Sequence, residues 1–238
     1  MQRKYSDFQK AMDLYNSCSA YYATNIATSI LIILLQVLSI ITMLRLVHIE
    51  YASQYVFPII LSYIATDFIN GCVHMYMDNN TNYRGILGPF VAAFHLHHLA
   101  PAYRKRNPLK VYFYESGSKF WLLGYLVVLN IFQSTLSPGI SVFFVGIGMF
   151  SSFAEVSHYW CHNATDNDYI IRSLQNLNIL LSKKHHRIHH QEDNKHYAFL
   201  NGIADPLINI IAFKLFDGYK SHSDLHTMAY RGKQTSNR

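Results

Sequence analysis

Four stretches of the chain stay apolar for close to the roughly twenty residues that a helix needs to cross a bilayer. The first runs near Thr24–Val47, with Ile-Leu-Ile-Ile-Leu-Leu at its heart, and the second near Tyr55–Met77. The third lies near Phe120–Leu136 and the fourth near Pro138–Trp160. Only Ser137 separates these two, so they read as a tight helical hairpin turning at Pro138-Gly139, which need not reach fully across. After Cys161 the pattern becomes amphipathic. Ile170, Ile171, Leu174, Leu177, Leu180 and Leu181 recur at helical spacing with Arg172, Gln175, Asn176 and Asn178 between them, which predicts a helix lying in the interface plane. The segment Tyr197–Phe216 is apolar again but broken by Gly202 and Asp205-Pro206. It reads as re-entrant or interfacial, with a fifth span as the alternative. Residues 1–23 and 221–238 are polar, and Met1 to Asp7 lacks the character of a cleavable signal peptide. The expectation is a single all-α membrane domain over 1–238, with about four transmembrane helices plus interfacial helices.

Composition agrees. Half of the 238 residues are hydrophobic and 14% are charged, against roughly a quarter in an average soluble domain. Lys and Arg favour the cytoplasmic side. If four spans alternate with the N-terminus inside, all 20 basic residues except Arg45 fall on one side, and every histidine cluster falls with them. Both termini and the clusters are therefore expected to be cytoplasmic, on the inner membrane of a bacterium or the endoplasmic reticulum of a eukaryote. A basic face beside anionic headgroups accounts for the net charge of +6 and calls for no nucleic acid. Cys18, Cys72 and Cys161 are odd in number and widely spaced, which argues against a disulfide framework. They read as small apolar residues rather than ligands, since thiolates are unusual partners in an imidazole-rich site.

The chemistry lies in the 14 histidines, most of them packed into four short segments. Lys184-His185-His186-Arg187-Ile188-His189-His190 holds four imidazoles within six positions. His74 stands four residues before Asp78, His97 and His98 follow His95, and His158 stands four residues before His162. Residues four apart on a helix share a face, so each pair can aim nitrogens at one place. Eight candidate ligands result: His74, His97, His98, His158, His162, His186, His189 and His190. That is too many for one tetrahedral zinc and enough for two metal ions with positions left open for oxygen. Imidazole suits iron, zinc, copper and nickel alike. Asp78 is either a carboxylate ligand or an acceptor orienting His74. His95, His185 and His196 stand by as ligands or supports. Asp67, a charge within the second span, is costly there unless paired, and is expected to support a ligand histidine; Glu155, one turn before His158, is expected to do the same. His222 and His226 read as solvated bystanders, and His48 as an interfacial side chain with a satisfied hydrogen bond. There is no His-Glu-x-x-His, no nucleotide-binding glycine fingerprint and no Gly-x-Ser-x-Gly elbow.

These segments resemble the Kua or plasmanylethanolamine desaturase (CarF-like) family of lipid desaturases, over roughly residues 60–218. The matching pieces are Asp67-Phe68 through Gly71-Cys72-Val73-His74 to Asp78, and Phe94 through His97-His98 to Pro101. His158-Tyr159-Trp160-Cys161-His162, the Lys184–His190 stretch, Tyr197, and Gly202 to Pro206-Leu207 complete them. The chain departs from the pattern at His95, at Val111, and at Asn194, where His196 stands nearby. The resemblance implies a non-haem enzyme with two iron ions, which uses O2 and external electrons to remove two hydrogens from a lipid chain. The first-choice substrate is an alkyl-ether phospholipid (plasmanylethanolamine) giving a vinyl ether (plasmalogen), and the second is an acyl chain near its carboxyl end. A cytochrome b5-like or ferredoxin-like protein would supply the electrons.

The demands of such a reaction fit the pattern. An unactivated methylene offers no acidic proton, so a metal cofactor must supply the redox step while the protein supplies ligands, orientation and a dry cavity. The rival enzyme reading is a His-box lipid hydroxylase, and the rival from another class is a metal transporter. A transporter would line its spans with ligands, whereas here they gather at helix ends.

Overall fold

The computed structural model describes residues 2–99, 107–114, 119–192 and 194–216. Pro101, His222 and His226 lie outside the described residues, as does the whole polar tail. The described residues are all-helical, with no strand among them. The helices are α1 (Gln2–Ser17), α2 (Ser19–Leu46), α3 (Val56–Asn79), α4 (Gly88–Leu99), α5 (Pro108–Tyr114), α6 (Phe120–Phe132), α7 (Pro138–Asn163), α8 (Tyr169–Asn176), α9 (Lys183–Gln191) and α10 (Asp205–Leu215).

Three helices are long and apolar enough to cross a membrane: α2, α3 with the 3-10 turn before it, and α7. Their pattern is inverted relative to a water-soluble bundle. The buried side of α2 carries Asn25, Thr28, Ser29, Gln36 and Ser39, with Ile32 among them. Its open side carries Ile30, Leu31, Leu34, Val37, Leu38, Ile41 and Leu44. Lipid tails are as apolar as leucine, so small and polar residues hold such helices together while the aliphatic ones face the hydrocarbon. With no water available, buried amides take backbone carbonyls as partners. Gln36 donates to the Gly148 carbonyl at 2.9 Å, Gln133 to that of Ser39 at 2.8 Å, and Asn130 to that of Leu126 at 2.8 Å. The fourth apolar stretch is shorter than a span: α6 has 13 residues and a three-residue 3-10 turn extends it. At 1.5 Å per residue that gives about 24 Å, short of a hydrocarbon core of roughly 30 Å.

α3 and α7 form the central pair and run parallel. Ser62 lies at Gly146, Asn70 donates to Ser151 at 3.2 Å, and His74 lies 6.1 Å from His158 between ring centroids. Any side chain at residue 146 would collide with Ser62, so glycine sets how close the helices approach. The parallel register brings the C-terminal ends of both helices, and their histidines, to one level.

Two sequence expectations change, and one alternative falls away. Residues 1–23, read as a polar end, contain α1, which buries Phe8, Ala11 and Met12 against Met77, Tyr83, Val91 and Ala92. Only these few apolar positions carry that face, so composition alone hides it. The amphipathic helix after Cys161 stops at Asn176, because Asn178 adopts φ +55 and turns the chain. Ile170 and Leu177 stay exposed, while Leu180 and Leu181 turn into the core, where the Leu181 N–H donates to the Leu200 carbonyl. In Tyr197–Phe216 only α10 is helical, and its 11 residues are too few for a fifth span.

Candidate metal centre

Four helices deliver the histidines. α3 supplies His74 and Asp78, α4 His97 and His98, α7 His158 and His162, and α9 His186, His189 and His190. α9 starts on Ser182, whose hydroxyl accepts the His185 N–H at 3.1 Å, an N-cap that sets where the helix begins and so which faces its imidazoles occupy. All eight imidazoles singled out in the sequence come together in two adjoining nests.

In the first nest, His186 Nε2 lies 2.9 Å from His158 Nε2, 3.0 Å from His162 Nε2 and 3.0 Å from His190 Nε2. His162 Nε2 is 3.2 Å from His158 Nε2. Four nitrogens held this close repel through their lone pairs unless a proton or cation lies between them. Metal–imidazole bonds of about 2.1 Å put neighbouring ligand nitrogens roughly 3.0–3.4 Å apart, and the observed spacing meets that edge.

The second nest comprises His74, His97, His98 and His189, with donor atoms within 4.8 Å of one another. His97 also belongs with His158 and His186, so it joins the two nests. The Asp78 carboxylate sits among these nitrogens: Oδ1 lies 2.8 Å from His98 Nε2, and Oδ2 lies 3.3 Å from His74 Nε2 and 3.2 Å from His189 Nε2.

Three rings are oriented from behind by backbone carbonyls. Nδ1–H donates from His74 to the Tyr197 carbonyl (2.7 Å), from His189 to that of Lys195 (2.8 Å) and from His97 to that of Phe94 (2.6 Å). A carbonyl only accepts, so the proton is on Nδ1, and Nε2 presents a lone pair to the nest, the usual tautomer of a metal-ligating histidine. His74 Nε2 is buried and makes no hydrogen bond. Phe199 stacks on His158 at 4.2 Å, and burial, reinforced by the neighbouring imidazoles, holds His97 and His186 well below the usual histidine range. Burial thus favours the neutral ring, the form that binds metal. The residues therefore fit two cations better than they fit hydrogen bonding among themselves.

Asp78 faces the same nitrogen of His74 that faces the nest, because the Tyr197 carbonyl already occupies Nδ1. That is a ligand's position rather than an orienter's. Asp67 and His95 fall elsewhere than expected. Among the described residues Asp67 pairs with no histidine; its carboxylate accepts backbone N–H groups from Leu200, Asn201, Gly202 and Ala204 at 3.0–3.4 Å, and so folds the loop before α10. A buried charge is tolerated where several backbone donors satisfy it, which sequence spacing does not reveal. His95 belongs to neither nest: Nε2–H donates to the Met77 carbonyl at 2.7 Å and Nδ1 accepts from the Tyr83 hydroxyl at 2.6 Å. Glu155 acts electrostatically on Tyr112 and on Lys119, whose amine burial pushes down to about 7 against the pull of that carboxylate. His185 and His196 group with Asp205 in a separate cluster. Cys161 donates to the Ser157 and Leu181 carbonyls, and no cysteine joins a nest among the described residues. The functional groups missed from sequence are Asp205 and the carbonyls of Phe94, Lys195 and Tyr197. A main-chain carbonyl leaves no residue-type signal.

Comparison with known proteins gives a family and a relative. Residues 63–218 match the family described as the lipid desaturase domain. Plasmanylethanolamine desaturase 1 of Mus musculus is 25% identical over 187 residues, covering 74% of this chain and 68% of the mouse protein. No solved structure matches.

Proposed function

The chain belongs to the lipid desaturase family, and from that premise we propose that it is a non-haem di-iron enzyme that introduces a double bond into a membrane lipid chain. It is an integral membrane protein acting on lipid at the family level. The observation that carries the finer reading is the pair of adjoining nests at the ends of α3 and α7, with nitrogens at metal-ligand spacing. His158, His162, His186 and His190 would hold one iron, and His74, His98, His189 and Asp78 the other, with His97 between them. Iron with O2 supplies the oxidation: two hydrogens leave adjacent carbons, two electrons and two protons arrive from outside, and two waters form. The carboxylate of Asp78 offsets part of the cationic charge in a buried site. The Tyr197, Lys195 and Phe94 carbonyls hold three rings in a ligand tautomer, and Phe199 shields the nests from water on one side. Ligands collected at one level, rather than along a path through the spans, favour catalysis over transport.

The substrate proposed first is an alkyl-ether phospholipid converted to a vinyl ether, the class of lipid named by the mouse relative. We place the whole chain in one domain, with the nests and both termini in the cytosol and an acidic electron carrier of the cytochrome b5 or ferredoxin kind as donor. The test feeds alkyl-ether lipid to cells lacking such an activity and measures acid-labile vinyl ether. Product with the wild-type chain, and none with His186→Ala, is the expected result. Hydroxylated lipid alone would replace desaturation with hydroxylation, and a new double bond in an acyl chain would move the substrate.

A further inference from the structure

Beside the two nests, and sharing no residue with them, lies a smaller cluster of donor atoms. His185 Nε2 is 2.5 Å from Asp205 Oδ2 and 3.0 Å from His196 Nδ1, and His196 Nδ1 is 3.7 Å from the same carboxylate oxygen. We propose that His185, His196 and Asp205 bind a third metal ion, a divalent first-row transition cation with a structural role. The reading rests on these three residues and stands whether or not the nests hold iron.

Hydrogen counting comes first. His185 Nε2 carries at most one hydrogen, yet it faces both the carboxylate oxygen and His196 Nδ1 at hydrogen-bond distance. A cation among the three atoms satisfies all of them at once. Two imidazoles and one carboxylate on one face form a donor set that suits transition ions rather than magnesium or calcium, and it leaves the remaining positions to water. Water can reach it, because the His185 and His196 side chains are 29% and 22% exposed.

The backbone is bent to make the cluster. His196 adopts φ +58, a left-handed conformation that a β-carbon disfavours, and its N–H is held by Asn209 Oδ1 at 2.9 Å. Gly202 has φ +88, and a β-carbon there would lie 2.9 Å from His185 Nε2, so glycine leaves the ring its place. Asp205 is fixed through its other oxygen, Oδ1, which accepts the Ala198 N–H at 2.9 Å. Strain spent on aiming one imidazole at two other ligands points to a use for that aim.

The use follows from the neighbours of His196. The Lys195 carbonyl orients His189 and the Tyr197 carbonyl orients His74. A cation on His196 fastens this strap between those two carbonyls and ties it to α9 through His185 and to α10 through Asp205. It would hold two nest histidines in register without touching either.

The test uses the full chain in detergent, stripped with a chelator, re-equilibrated with Zn2+ alone and counted by elemental mass spectrometry. His196→Gln should bind one zinc fewer per chain than wild type. The same loss of one should appear when His196→Gln is added to a His158→Gln, His189→Gln protein whose nests are impaired, so failure of the nests to load does not mask the result. Zn2+ should also raise the Tm of wild type more than that of His196→Gln. Asp205→Asn, which keeps an oxygen for the Ala198 N–H, should match His196→Gln in zinc count. Equal zinc counts in wild type and His196→Gln overturn the proposal and leave the cluster a hydrogen-bond network.

Discussion

A histidine is a ligand only when one nitrogen is bare and aimed, and in this chain that condition is met from behind the ring. His74 and His97 differ from His95 less in burial than in partners. The first two spend Nδ1 on a carbonyl and present Nε2, while His95 spends both nitrogens, on Met77 and Tyr83. On the proposed di-iron reading both ions are needed, so His162→Ala and His189→Ala should each eliminate product rather than reduce it, whereas His48→Ala, exposed near the 3-10 turn, should leave product nearly unchanged. Lipid mass spectrometry of cells expressing each variant decides the matter, and full product from His189→Ala would remove that residue from the site. Asp67 makes a different demand. Asp67→Asn keeps one acceptor oxygen but turns an NH2 toward backbone donors, and a charge-assisted hydrogen bond contributes about 1.5–3 kcal/mol. The expected outcome is a lower Tm with iron content reduced in proportion to folded protein, read by thermal unfolding in detergent; an unchanged Tm would deny Asp67 its role in folding the loop.

At the scale of elements, short helices set the site and long ones carry it. α9 is nine residues, too short to be stable alone, and owes its start to Ser182. Ser182→Ala should cost about 1 kcal/mol. Because α9 bears three nest histidines, iron per chain should fall with it, and elemental analysis at matched protein concentration checks this. α1 was invisible as an element in the sequence because its helical face consists of three apolar residues, Phe8, Ala11 and Met12, amid charges. Those residues pack against Val91 and Ala92 of α4. Phe8→Ala, removing a fully buried ring, should destabilise by roughly 3–5 kcal/mol, seen as a lower Tm without change in which lipid is oxidised. α8 shows the opposite case: its pattern predicts a longer helix than forms, since Asn178 can adopt positive φ and release Leu180 and Leu181 to the core.

For the whole molecule the decisive relation is between the nests and the membrane. The nests lie at one level because α3 and α7 run parallel, and the basic residues that follow each of them predict that this level is cytosolic. Reporters inserted near Arg84 and near Lys195 should therefore report the same side, the cytosol; opposite sides would break both the orientation and the shared site. Purified, iron-replete protein should carry close to two iron atoms per chain. A single zinc with no iron would end the di-iron reading.

The apolar runs of the sequence by themselves determined that α2, α3 and α7 are long and apolar enough to cross a membrane, because about twenty apolar residues in helix match the thickness of the hydrocarbon core. The four-residue spacings of His74 with Asp78, His158 with His162, and His186 with His190 likewise determined that each pair shares a helix face, because helix geometry alone puts them there. Tertiary structure decided what spacing cannot reach. It decided that Asp67 serves a loop 133 or more residues away rather than a histidine, that His95 turns from the nests, and that Asp78 shares the inner nitrogen of His74. It also decided that the strap at 195–197 holds His74 and His189 from behind. Each of these depends on which backbone groups arrive opposite a side chain after the chain has closed on itself, and a carbonyl is the same in every residue of the sequence.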